Sequence, residues 1–344
     1  MRAGNGGKIV NGSSARKPHR LSIVIPAAGD AVPLEETLVS VLENRPPDCE
    51  VIAVHGCDYA DPWGIGDEVR LLRAPRRTNI VGCINLGIAA ASGRVIHVLA
   101  AGWRGTDGWT DQPVEAIASG RADVVVPLGV AADDHDRAVS AGIRHTAGGR
   151  RVSLTRASAG DSGRPTCPEL EAGFWSAEML AAIGAGFATA CGPDLADADA
   201  AAAVACAGGT VMLEPSSRVI VGPPRRRARA FRAGLHAERL FWRSLPGTSP
   251  VRGLVLHAGE WLRDLAGSAP LGTLPMLLGR LAALVQFGSC MRRAALLRAL
   301  RAQAAAVGPE AAPHRERTIR IDGPHPRLAE PKRQEPLPPL RRSA

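Results

Sequence analysis

Aromatic side chains are scarce in this 344-residue chain, making up 3% of it against 45% for all hydrophobic residues. The core must therefore be built from Ala, Val, Leu and Ile, which suits helices laid on a buried sheet. Cysteine offers no framework. The seven cysteines (Cys49, Cys57, Cys83, Cys167, Cys191, Cys206 and Cys290) are odd in number, form no Cys-x-x-Cys and follow no spacing pattern. That argues against a disulfide scaffold and fits reduced thiols in a cytosol. A long apolar run is missing too: the longest one near the C-terminus is interrupted by Arg280, so no segment reads as a spanning helix. The basic N-terminus is not followed by the apolar stretch of a secretory signal. The expected location is cytoplasmic, with a peripheral seat at the inner membrane face left open.

Charge is unevenly spread. Residues 21–220 hold 15 arginines against 25 acids, while residues 221–344 hold 22 basic residues against 8 acids, and residues 1–20 carry five positive charges. An acidic body argues against nucleic acid as its substrate, whereas the basic C-terminal part could meet an anionic membrane surface.

Along the chain, residues 1–20 read as a disordered basic lead-in. Leu21 to Pro26 is an apolar run closed by proline and predicts a buried strand. Pro33 followed by Leu34, Leu38, Val41 and Leu42 has helical spacing. Further strands are predicted at 49–54, 69–72, 95–99, 123–127 and 210–213, with helices at 79–91, 176–183 and 197–207. Residues 140–165 predict a hairpin with a mobile loop. Alternating strands and helices imply an α/β domain at 21–220, with a mostly parallel central sheet and helices on both faces. Ligands of such sheets sit beyond the carboxyl ends of the strands, here the loops after Ile25, Val54 and Leu99. Residues 221–305 predict a basic amphipathic helical extension, with Leu274, Leu278, Leu281 and Val285 among its apolar positions and Arg280, Arg292 and Arg298 on its basic side. Packing on the main domain and lying on an anionic membrane are its two readings. Residues 306–344, with eight prolines from Pro309 onward, predict a disordered tail.

Several of these segments, in this order, resemble glycosyltransferase family 2. Leu21 to Pro26 with Leu34 to Leu42 is similar to the family's opening strand and helix. Asn85 to Gly93 and Arg94 to Leu99 are similar to the helix and strand that precede its metal site. Asp197-Ala198-Asp199, followed by Ala207 to Pro215, is similar to its acidic motif and the strand after it. The resemblance implies a nucleotide-diphospho-sugar transferase-like (GT-A) fold, a nucleotide-sugar donor and a glycan or lipid acceptor, with no specific nucleic acid partner. It implies Asp197 as the base that deprotonates an acceptor hydroxyl; the bland alternative is a helix-initial acid favoured by the dipole. Pro26, Ala28, His55 and Asn85 fall at nucleotide-side positions. Arg104, Asp107, Trp109 and Asp199 fall on the acceptor or diphosphate side.

The departures from the pattern matter as much. Where the family places Asp-x-Asp to hold a divalent cation (Mn or Mg), this chain has Ala100-Ala101-Gly102, and neither Ala100 nor Gly102 offers an oxygen side chain to a hard cation. No metal ligands are assigned, and Arg104 is the candidate for offsetting the charge of the leaving diphosphate instead. The expected function is transfer of a sugar from a nucleotide donor with atypical or absent metal dependence. The alternative is a catalytically inactive relative that acts as a binding or scaffold partner.

Overall fold

The sheet begins where the sequence is most apolar. In the computed structural model, which describes residues 20–57, 59, 61–155, 164–224, 228–247 and 249–307, all seven residues of β1 (Leu21–Ala27) are buried. Nearly all of the basic lead-in, the arginines at 225–227 and the tail from residue 308 lie outside the described residues. Next come α1 (Ala31–Asn44), β2 (Cys49–His55), β3 (Val69–Arg73), α2 (Ile80–Ala90), β4 (Val95–Leu99), β5 (Arg104–Gly105) and α3 (Asp111–Ala118). They are followed by β6 (Val124–Val130), a β8 (Ile143–His145) to β9 (Arg151–Ser153) hairpin preceded by the short β7 (Ala138–Ser140), then β10 (Ala172–Ser176) and α4 (Ala177–Ala182). The body closes with α5 (Gly192–Cys206) and β11 (Val211–Ile220).

The main sheet runs β3-β2-β1-β4-β10-β6-β11-β5, with β7 on β6. The pairs β3–β2, β2–β1, β1–β4 and β6–β11 are parallel. The sequence reading misses β10, which lies antiparallel between β4 and β6 and makes the sheet mixed. Alternate residues of β1 face opposite layers, as strand geometry requires. Ile23 and Ile25 pack with α1 and α3, whereas Val24 packs with α2 and α5. Leu34, Leu38 and Val41 bury the inner face of α1, each worth about 1.5–3 kcal/mol of transfer free energy.

Helix α5 is the middle of the molecule. Eleven of its fifteen residues are buried, because the sheet covers one side and later helices cover the other. Its alanines admit this close approach. Pro193 in its first turn marks the start, five residues before the predicted one, so Asp197 sits in the second turn and not at the helix terminus.

The C-terminal extension folds as α6 (Ala230–Ser244), α7 (Pro250–Ser268), α8 (Thr273–Val285) and α9 (Phe287–Val307). The apolar positions from Leu274 onward, read as part of one amphipathic extension, fall on two helices bent by 68° at Gln286. Helices α6 and α8 cross with almost no gap, since a Cβ on Gly234 would collide with the Met276 carbonyl. The extension is fastened to the body through Asp199, 1% exposed. One of its oxygens accepts from Arg243 Nε of α6 at 2.7 Å and the other from Arg293 Nη2 of α9 at 2.8 Å.

Candidate active site at the carboxyl edge of the sheet

Three parallel strands end side by side at Ala27, His55 and Leu99. Their loops are stitched by backbone bonds: Gly56 N–H donates to the Ala27 carbonyl at 2.9 Å and Ala101 N–H to that of Pro26 at 3.1 Å. Pro26 is buried inside β1, and Ala28 is exposed just beyond it. His55 is buried at the end of β2 with Nδ1 2.9 Å from the Cys57 carbonyl. A carbonyl only accepts, so Nδ1 carries the proton and Nε2 of the neutral ring is the acceptor.

The loop after β4 is held from three directions. Ala100 N–H donates to the Glu171 carbonyl at 2.8 Å. Gly102 N–H donates to both the Pro33 carbonyl and Thr37 Oγ1 of α1, each at 2.8 Å. Thr37 in turn donates to the Trp103 carbonyl at 2.8 Å. Gly102 has φ +91°, and a Cβ there would stand 2.9 Å from Pro223 Cδ. An L side chain is strained in that conformation and obstructed as well. This backbone disfavours an aspartate at 102. With Ala100 beside it, and no three metal-ligating side chains converging among the described residues, the donor set does not fit a divalent cation.

Past this loop, Arg104 lies half-buried on β5 opposite Ile220 of β11, and Asp107 is exposed in the turn before α3. Trp109, expected toward an acceptor, is in the core. It is fully buried, its ring lies against Gly105, and its Nε1–H donates to His97 Nε2 at 3.1 Å. Asn85 does not face the nucleotide-side loops with a free amide. Its Nδ2 donates to the Phe187 carbonyl at 2.9 Å and its Oδ1 accepts from Phe187 N–H at 2.8 Å, so both ends of the side chain clamp the segment before α5.

The two aspartates of the acidic motif part company. Asp199, placed by the resemblance on the acceptor side, gives both oxygens to the arginines that dock α6 and α9. Burial pushes its carboxyl up, but Arg293 and Arg243 together hold it below the ordinary carboxylate range. Asp197 points elsewhere. Arg151 of β9 grips it with Nε at 3.0 and 2.9 Å and Nη2 at 2.9 Å, and Ala198 N–H donates to Oδ1 at 2.8 Å. Here burial dominates and raises the carboxyl above its usual value despite Arg151. The Leu170 backbone also bonds Asp197. Since the carbonyl of the next residue, Glu171, accepts from Ala100, one step of backbone links the carboxylate to the end of β4.

Arg151 and the Leu170–Glu171 link are absent from the sequence reading. Arg151 is one basic residue in a Gly- and Arg-rich stretch, and nothing in its spacing marks it as the partner of an acid 46 positions on. Arg151 also lines a cavity of about 530 Å³ between the β8–β9 turn and helices α6–α8, together with Asp194, His236, Glu260, Asp264 and Arg280. His236 Nδ1 is buried there with no hydrogen-bond partner.

The model of glycosyl transferase family 2 matches residues 22–167. That stretch, less than half of the chain, is similar to the family. The matched segment supplies His55, the Ala100–Arg104 loop and Arg151, whereas Asp197 and Asp199 lie beyond it. Among solved structures, TarS (residues 1–349) of S. aureus aligns over 83% of this chain and 91% of its own at 11% identity and a TM-score of 0.54, which shows a shared fold. The mannosyltransferase PcManGT of Pyrobaculum calidifontis, solved with GDP-Man and Mn2+, is 18% identical over 85% of this chain and 87% of its own, with a TM-score of 0.47. GalNAc-T7, solved with UDP, GalNAc and Mn2+, is 14% identical over 68% of this chain and 52% of its own, with a TM-score of 0.47. No curated protein matches the chain in sequence.

Proposed function

We propose that this chain transfers a sugar from a nucleotide donor to a hydroxyl group of a glycan or lipid acceptor, with Asp197 as the base. The observation that carries the reading is the tie from Asp197, through Leu170 and Glu171, to the loop that ends β4. A carboxyl raised by burial is a better proton acceptor than an ordinary one. In the reaction the acceptor oxygen bonds to the anomeric carbon as that carbon's bond to the diphosphate breaks. The acceptor proton goes to Asp197, and the nucleoside diphosphate leaves. Arg151 orients the base. Arg104 is the candidate cation for the charge that develops on the leaving oxygens. The cavity behind Arg151, lined by acids and bases together, suits a hydroxyl-rich acceptor whose groups both donate and accept.

The test is a thermal-shift and nucleotide-release assay with UDP-, GDP- and dTDP-sugars, each with manganese and with EDTA. A donor that binds only the folded chain raises its stability by about 2.7 kcal/mol at a hundredfold excess over Kd. The reading expects one donor to give a shift that survives EDTA, with release lost in Asp197→Asn while the shift persists. A second reading, a non-catalytic binding protein of the same fold, draws on the burial of the Asp197 carboxylate against Arg151, Ala198 N–H and the Leu170 backbone. It expects Asp197→Asn to lower stability and leave any donor binding unchanged, with no release from either protein.

A further inference from the structure

Eighteen large hydrophobic side chains stand exposed among the described residues, and fourteen of them lie between Phe231 and Leu296. They are not scattered. At 100° per residue, Val251, Leu254, Val255 and Leu262 of α7 fall within about 100° of one another, and they are 73%, 47%, 67% and 70% exposed. The buried residues of that helix, Gly253 and His257, lie on its opposite side. Helix α8 repeats the arrangement. Leu274, Leu278, Leu281 and Val285 share an arc of about 60°, opposite the buried Met276, Gly279, Arg280 and Ala283. Leu271, between the two helices, is 91% exposed. Patches of this extent mark interaction sites on soluble proteins.

Charge decides the occupant. Residues 228–307 contain eleven arginines and three acids. All three acids are engaged: Glu238 by Arg280 and His257, Glu260 by Arg263, and Asp264 by Arg280. Arg252, Arg292 and Arg298 remain exposed. The excess belongs to the extension as a whole, since α7 and α8 themselves hold Arg252, Arg263 and Arg280 against Glu260 and Asp264. Two copies of so basic an extension would repel each other, whereas an anionic lipid surface would attract it and accept its apolar stripes. No single described helix is long and apolar enough to cross a membrane. The bent pair α8–α9 meets the length and composition for a span, but Cys290, Ala294, Leu297 and Leu300 of α9 are buried within the fold, which favours lying on the bilayer over crossing it.

We infer that α7 and α8, within this basic extension, form an apolar-striped platform that seats this chain on an anionic lipid bilayer. The platform adjoins the candidate site. His257 Nδ1 of α7 donates to the Gly148 carbonyl in the β8–β9 turn at 3.0 Å, and Arg151 of the same hairpin holds Asp197. A lipid-borne acceptor would thus meet the site from the headgroup layer. That consequence rests on the transfer reading, and the seat itself does not.

The experiment is flotation of the full chain with vesicles of phosphatidylcholine alone, and of phosphatidylcholine with one third phosphatidylglycerol. The expected result is binding to the anionic vesicles only, weakened when salt is raised to about 0.5 M, where exposed charges are screened within a few ångströms. The variant V255D/L262D/L278D/V285D is expected to lose at least about tenfold in partitioning. If that variant melts below the wild type, R252Q/R292Q/R298Q, which leaves the apolar stripes intact, decides, with the same loss expected. Failure of the wild type to float, equal flotation on uncharged vesicles, or undiminished flotation of both variants would each overturn the proposal. So would a dimer in sedimentation velocity that the apolar variant dissolves. Vesicle binding is read without turnover, so its failure is distinct from failure of the transfer reading.

Discussion

Acidification should loosen this fold at His97 before most of its carboxylates respond. His97 lies in β4 and is wholly buried, stacked on Phe174 with ring centroids 3.7 Å apart. Its Nδ1–H donates to the Gly173 carbonyl at 3.1 Å, and its Nε2 accepts from Trp109 Nε1–H at 3.1 Å. The neutral ring is therefore fully satisfied. A second proton would have to sit on Nε2 and face another donor, in a place closed to solvent. Burial lowers the pKa from 6.5 to about 3, with the Gly173 bond opposing it only in part. Between those values the unfolded chain binds a proton that the folded chain refuses, so stability is fully present above pH 6.5 and falls as pH drops toward 3. The slope for one such group is about 1.4 kcal/mol per pH unit, and the loss by pH 5 is about 2 kcal/mol. The measurement is urea unfolding from pH 7 to 5 of the wild type and His97→Gln, which keeps a donor and an acceptor but does not titrate. His145, lowered by burial to about 4, contributes to both proteins and cancels in the difference. The variant is expected to start less stable and to lose about 2 kcal/mol less than the wild type over this range. Parallel profiles would refute the reasoning.

Two further substitutions test the packing of the site. Asp199→Ala leaves the buried Arg243 and the partly buried Arg293 without their carboxylate, and should cost about 3–5 kcal/mol in denaturant unfolding, with increased hydrogen exchange in α6 and α9. Gly102→Asp, which places a carboxylate where the resemblance would have one, is expected to lower stability by about 1–3 kcal/mol through its φ and the Pro223 contact, and to create no manganese-dependent thermal shift.

How much of this could be read in the sequence differs by element. Strand β1 and helix α1 were legible because Leu21–Ala27 is apolar on both faces and α1 has a single apolar stripe. Strand β10 was not, since Ala172–Ser176 is five residues long and its antiparallel place depends on β4 and β6, which are distant in sequence. Helix α5 defeats periodicity, being buried all round, though Gly192-Pro193 was a start signal in plain view. The break between α8 and α9 leaves the helical spacing of apolar residues nearly intact, so the two read as one. At the site, the residue types after β4 told that carboxylates were missing. They could not tell that Pro223, Pro33 and Thr37 shape a backbone in which position 102 favours glycine. The resemblance marks Asp197 as the base and Asp199 as an acceptor- or diphosphate-side residue; that Arg151 holds the first and that the second docks α6 and α9 could not be read, because those partners lie 44 to 94 positions away.

That difference also bears on what counts as a domain in this protein. Asp197 and Asp199 stand on the same short run of α5, one held by Arg151 of the β8–β9 hairpin and the other by the helices that follow the sheet. A chain ended near residue 220 would keep every strand of the sheet and most of the family segment's neighbours, yet carry an unpaired charge at its centre. The sheet and the C-terminal helices are therefore expected to unfold in a single transition.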